Sequence, residues 1–149
     1  MIIQRVSRAS VRVAGATVGD IGSGLMLLVG FGKDDDGRVL QPVAEKIATM
    51  RIFSDERGRF DASVLDTKGA ILAVPQFTLY ADTAKGRRPE FFQALAPEPA
   101  SALFEEFKAA LRSTGVSQVE SGVFGANMEV ELVNDGPVTI LLERSSSDI

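Results

Sequence analysis

The chain has 149 residues, of which 45% are hydrophobic and 24% charged, the proportions of one globular domain around one core. It contains neither Cys nor His. Disulfides, thiol nucleophiles, thiolate metal sites, Ser-His-Asp and Cys-His catalysis and the zincin motif are therefore excluded. A net charge of −4 argues against a broad footprint on nucleic acid but leaves room for a grip on the end of one strand.

No apolar run reaches the roughly 20 residues of a membrane span, and no leader pattern of basic, apolar and small residues follows Met1. A cytoplasmic protein with no membrane partner is the expectation. In chain order, Ile2–Val6 and Ser10–Val13 read as short strands. Gly15-Ala16 predicts a hairpin turn into Thr17–Ile21, and Gly22-Ser23-Gly24 a second turn. Leu25–Phe31 is a near-continuous apolar run, as in a strand buried on both faces. Asp34-Asp35-Asp36 offers N-cap groups to a helix whose apolar face is Leu40, Val43, Ile47 and Met50, with Pro42 tolerable only in its first turn. Ser54–Gly69, polar and turn-rich, reads as a loop or short irregular element.

Ala70–Gln76 reads as the next buried strand, followed by a polar loop, Asp82–Pro89, carrying Lys85, Arg87 and Arg88. Pro97 and Pro99 open a second helix with Leu103, Phe104, Phe107 and Leu111 inward and Gly115 just past its end. Val116–Glu120, Met128–Val133 and Val138–Leu142 are expected strands, the last two joined by a turn at Asn134-Asp135-Gly136-Pro137. Ser145–Asp148 reads as a frayed tail. The order predicts an α+β fold: β-rich, sandwich- or barrel-like sheets with two helices packed on one side, in a single domain over 1–149. Strand residues exceed what two helices can cover, so part of a sheet face is expected to be buried by another subunit.

Gly30-Phe31-Gly32-Lys33 lacks the spacing of a phosphate loop, and Gly19, Gly22 and Gly24 do not match the dinucleotide fingerprint. Asp34–Asp36 are consistent with helix capping or with metal ligation, although Val43 stands where a calcium loop needs Glu. Asp55, Glu56 and Asp61 could form a carboxylate pair. Lys85, Arg87 and Arg88 are either a solvated loop or a contact to RNA phosphate. Taken alone, Gln76-Phe77-Thr78 is a strand end and Gly136-Pro137 a turn.

Two segments together carry more. Pro75-Gln76-Phe77-Thr78-Leu79 and Asn134-Asp135-Gly136-Pro137-Val138-Thr139 resemble the Ser-Gln-Phe-Thr-Leu and Asn-x-Gly-Pro-Val-Thr motifs of the D-aminoacyl-tRNA deacylases. Supporting segments run through the chain: Ile3-Gln4-Arg5-Val6, Lys33-Asp34-Asp35-Asp36, Arg51-Ile52-Phe53-Ser54-Asp55, Ala81-Asp82-Thr83 with Lys85-Gly86 and Arg88-Pro89, and Phe124-Gly125-Ala126-Asn127-Met128. Pro75 departs from the family's Ser and bears on substrate range. Phe77 and Val138 keep the chain with the main group rather than with a related group of looser chiral selectivity.

The resemblance implies hydrolysis of the ester of D-aminoacyl-tRNA, and of glycine mischarged on the alanine tRNA, without cofactor or metal. It implies a homodimer with active sites at the subunit interface, where the 3′ end of aminoacylated tRNA binds. Gln76, Phe77 and Thr78 are the implied catalytic residues. Gly136-Pro137 is implied to be a cis dipeptide that excludes L side chains from the partner's pocket, supported by Arg5, Val138 and Thr139. Phe124, Met128, Lys85 and Arg88 are candidates for the adenosine and tRNA contacts. Thr78 has no evident base to activate it, so backbone N–H groups and the substrate's own 2′-hydroxyl are the expected agents. Two rivals differ in class: a metal-dependent phosphoesterase built on Asp34–Asp36 and Asp55, and a non-catalytic dimer that binds RNA ends.

Overall fold

The computed structural model describes residues 1–149. Ile2–Val13 forms one continuous strand, β1, where the sequence reads as two. The cause is an extra residue. Against the final strand, β8 (Glu129–Leu141), Val6 pairs with Asn134 and Arg8 with Val133, which leaves Ser7 without a partner. One inserted residue flips the alternation, so Ala9 and Val11 join Val6 on one face while Ile3 faces the other way.

Ala14 and Gly15 form the two-residue turn that follows, both at positive φ (50° and 80°), as a type I′ hairpin requires. The turn therefore sits one residue before the expected Gly15-Ala16. After a register shift between Val11 and Arg12, the rest of β2 (Ala16–Ile21) and β3 (Gly24–Val29) keep one register on β1, with Val11 opposite Gly19, Ala9 opposite Ile21 and Val6 opposite Gly24. They are two halves of one arm, and Gly22-Ser23 is a bend rather than a reversal.

β3 pairs in parallel with β6 (Ala70–Pro75), and β6 in parallel with β7 (Val119–Ser121). Parallel neighbours need crossovers, and helices fill both. α1 (Leu40–Thr49) follows a short 3-10 turn, Gly37–Val39, whose N–H at Arg38 is capped by Asp36. α2 (Pro97–Ser113) starts on its proline and is followed by Gly115 at φ +102°. Both helices lie on the same sheet face. Their buried residues, with Phe104, Phe107, Ile47 and Leu111 at the centre, join Ile3, Leu25, Leu27, Ile71 and Val119 in one core. A smaller core of Val6, Val11, Met26, Leu72 and Val74 fills the opposite face. There β2 curls back over the sheet: the Gly19 Cα is so close to Leu72 and the Ser121 carbonyl that a Cβ would stand 3.0 and 3.1 Å from them. The result is the expected α+β fold, with a nearly closed, barrel-like sheet and two helices on one side.

Three further segments differ from expectation. The presumed loop Ser54–Gly69 contains a small two-stranded ribbon of β4 (Phe53–Ser54) and β5 (Phe60–Ala62). The tail forms a capped 3-10 turn, Ser146–Asp148, in which Ser145 N donates to Asp148 at 2.8 Å and the Ser146 hydroxyl accepts from Asp36 N at 2.9 Å. The third is β8, which does not turn at Asn134–Pro137 but runs through it.

Candidate active site

Gln4 pairs with Thr139 and Val6 with Asn134. One residue of β1, Arg5, therefore faces four residues of β8, Asp135-Gly136-Pro137-Val138. The surplus leaves the ladder as a wide bulge, exposed at Gly136 and Pro137. The Gly136–Pro137 peptide is cis, and Gly136 has φ +125°. Arg5 anchors the bulge. Its side chain is only 9% exposed. Nε donates to the Asp135 carbonyl at 3.0 Å and Nη1 to the Ile52 carbonyl at 2.9 Å. The Phe60 ring lies 5.7 Å from the guanidinium carbon, within cation–π range. The ribbon missed in the sequence thus supplies one contact of Arg5 through Phe60, and Ile52, just before its first strand, supplies another. On the other face, Gln4 Nε2 donates to Asn134 Oδ1. Val138 packs toward the helix-side core, and Thr139 returns the strand to register.

Gln76, Phe77 and Thr78 follow β6. Gln76 N donates to the Val29 carbonyl at 2.7 Å, the last strand contact. Phe77–Tyr80 then coils into a 3-10 turn. The Phe77 and Thr78 N–H groups open this turn, where a helix offers no carbonyl to receive them, and no contact outside the turn takes them. The Thr78 hydroxyl accepts from the Gln76 side-chain amide. An amide NH2 cannot take a proton, so Gln76 is no general base for Thr78.

Phe77 is 54% exposed and meets Phe91 edge-on at 5.0 Å. Behind it lies an apolar groove of about 380 Å³, lined by Pro75, Phe77, Phe91, Leu95, Pro97 and Phe124 among others. Phe124 is held by Phe104 of α2 at 6.5 Å. Met128 does not line the groove. It packs on Gly122, where a Cβ would stand 2.6 Å from its sulfur and 3.5 Å from Pro75 Cδ, so it backs the wall that Pro75 faces. Phe91, Leu95 and Pro97 were not singled out as site residues from sequence. The signal available was Phe91 beside the cationic loop.

Lys85 and Arg88 lie on the exposed loop that leads into Phe91. Gly136 and Pro137 are absent from the groove lining. In the sheet, β8 is separated from β6 by β1 and β3, three strand spacings or roughly 14 Å.

Three of the four carboxylates of the rival metal reading are already engaged. Asp35 Oδ2 accepts from Gly32 N, Asp36 caps and pairs with Arg38, and Asp55 accepts from Arg57 N and Arg59 N. The Arg38 side chain holds the Asp36 carboxyl down at about 2, and the backbone N–H of Arg59 lowers that of Asp55. No three acidic side chains converge.

The pattern of the family described as D-Tyr-tRNA(Tyr) deacylase matches residues 2–143. A relative from Shouchella clausii named D-aminoacyl-tRNA deacylase is 53% identical over 96% of this chain and 97% of its own length. One of the same name from Brevibacillus brevis is 54% identical over 96% and 98%. Among solved structures, one described as c-Myc DNA Unwinding Element Binding Protein superposes with a TM-score of 0.90 at 40% identity, covering 97% of this chain and 98% of that one. Another, described as a probable eukaryotic D-amino acid tRNA deacylase, shares the fold at a TM-score of 0.82 and 21% identity. With the family pattern spanning both the groove and the bulge, this chain belongs to the D-Tyr-tRNA(Tyr) deacylase family.

Proposed function

We propose that this chain hydrolyses the ester between a D-amino acid and the terminal adenosine of tRNA in the cytoplasm, at a site assembled from the groove of one copy and the Gly136-Pro137 bulge of a second. The observation that carries this reading is the pair of open N–H groups at Phe77 and Thr78 beside the aromatic groove. An acyl ester passes through a tetrahedral oxyanion, and backbone N–H donors are a means of stabilising it without His or metal. The aromatic walls of Phe77, Phe91 and Phe124 suit a purine base.

The chemistry needs little more. The α-ammonium group activates the neighbouring carbonyl, and the ribose 2′-hydroxyl positions or activates the attacking water. Water adds to the carbonyl carbon, the C–O bond to the ribose breaks, and the departing ribose oxygen takes a proton. Thr78 shapes the site and does not attack. Selectivity comes from exclusion. The bulge presents rigid backbone to the α-carbon, accepts the ammonium group and leaves no space for an L side chain. Glycine on the alanine tRNA has no side chain to exclude and is a second substrate.

A second copy is called for by two features. The groove and the bulge lie on separate strands, and β8 leaves its outer edge unpaired with Val130, Val133 and Leu141 exposed. An unpaired apolar edge strand is a surface that natural proteins cover.

The test mixes purified protein with matched D- and L-tyrosyl-tRNA and follows ester loss, with and without a chelator. Loss of the D ester only, unchanged by the chelator, is expected. Equal hydrolysis of both esters overturns the chiral filter. Binding with no hydrolysis favours the RNA-end-binding rival, and loss of activity in the chelator favours the metal-dependent one.

A further inference from the structure

The only dense run of cations in this acidic chain is Lys85, Arg87 and Arg88. All three are exposed, and none takes part in an ion pair. The loop that carries them is built rather than loose. Its neck is closed by reciprocal bonds between Asp82 and Glu90, N to O at 2.7 and 2.9 Å. Asp82 Oδ1 accepts from Ala84 N at 2.9 Å, and Gly86 turns the tip at φ +68°. Asp82 is thus occupied by the loop's own backbone, and Glu90 closes the other side of the neck. The residue after Glu90 is Phe91, a wall of the groove.

We propose that this loop grips the phosphates of the RNA strand just upstream of the terminal nucleotide, while the groove takes the nucleoside itself. The proposal rests on the deacylase reading for the identity of the strand, and it adds a division of labour. An acidic protein repels a polyanion everywhere except where cations are left unpaired. A tethered cationic hairpin at the lip of the groove supplies charge without sequence readout. Arg87 and Arg88 fit phosphate by bidentate donation, and Lys85 acts as a point charge. The chemistry recognised is a phosphodiester backbone held in line with an end already seated in the groove.

The test has two arms on the full-length protein. In the first, binding of uncharged tRNA is measured between 50 and 200 mM salt. Three phosphate contacts on a single strand give a slope of about two, or roughly a 20-fold loss of affinity across that range. The triple variant K85A/R87A/R88A is expected to bind more weakly and to lose most of that salt dependence. The charge-preserving variant K85R/R87K/R88K is expected to keep it, and thermal melting checks that both variants fold. In the second arm, kcat/KM for D-tyrosyl-tRNA is divided by that for D-tyrosyl-adenosine, which carries no upstream phosphate. The ratio is expected to fall at least tenfold in the alanine variant at 50 mM salt. An unchanged salt slope, or a ratio equal to that of the parent, overturns the proposal. Failure of the parent protein to cleave D-tyrosyl-tRNA refutes the deacylase reading instead, and the binding arm still decides the loop.

Discussion

Arg5 reaches across the sheet to donate to the Asp135 carbonyl at 3.0 Å, and it is the one β1 residue that faces the four bulged residues of β8. Replacing it with Gln removes a buried charge-assisted bond to each of two carbonyls, Asp135 and Ile52. Bonds from charged donors contribute about 1.5–3 kcal/mol each, so a loss of about 3–6 kcal/mol in urea unfolding is expected. The discriminating readout is the ratio of D- to L-ester hydrolysis, which should fall in Arg5→Gln even under conditions where the protein is fully folded. An unchanged ratio would show that Arg5 stabilises the fold without holding the bulge in place for selection.

Thr78→Ala should retain activity within roughly tenfold of the parent, because the Thr78 hydroxyl has an amide and no base as its partner. Loss of a true nucleophile costs on the order of 10⁶ in kcat. A trapped acyl group on Thr78, or a loss of that size, defeats the backbone mechanism.

Phe91 should act on binding more than on chemistry. It meets Phe77 at 5.0 Å and walls the groove. Phe91→Ala removes stacking area of the kind worth about 1–3 kcal/mol per base. KM for D-tyrosyl-tRNA should rise about 5- to 100-fold with kcat little changed. A fall in kcat at constant KM would place the base elsewhere.

The acid limb of stability should be set by capping carboxylates. Asp36 is held at about 2, first by the Arg38 side chain. Asp66 is lowered by the Ser63 backbone N–H and Asp148 by that of Ser145. A carboxyl depressed in the folded state contributes stability that is complete above its unfolded value of about 3.9. That contribution is lost as pH falls through the folded value. The melting temperature should therefore change little from pH 7 to 5 on account of these groups and drop between pH 4 and 2. Asp36→Asn should start lower and fall less steeply. A parallel decline in both proteins would show that the Asp36 contact is energetically silent.

The parts of the fold that were legible in the sequence are those with local causes. The apolar faces of α1 and α2 follow from residues such as Val43, Ile47, Phe104 and Phe107, and β3 and β6 from runs that need no partner to be recognised. What was not legible depends on distant chain. β1 looked broken because Ser7 is extra only relative to β8. Gly136-Pro137 looked like a turn because a bulge and a hairpin use the same residues, and only the pairing of Gln4 with Thr139 and Val6 with Asn134 tells them apart. The Ser145–Asp148 tail is fixed in part by Asp36, a contact across the fold. In the candidate site, Gln76–Thr78 and Gly136-Pro137 were found through family resemblance. Phe91, Leu95 and Pro97 were missed because a groove wall has no motif of its own.

The separation of the β8 bulge from the β6 groove has a genetic consequence. A chain disabled only in its bulge and another disabled only in its groove would each be inactive or unselective alone. In the two-copy assembly we propose, a mixed pair has two composite sites, and one of them inherits the intact half of each parent. Co-expression of the two damaged chains should then restore selective hydrolysis to about half the sites of each mixed pair. Two mutations in one chain should find no such relief from a partner carrying the same pair.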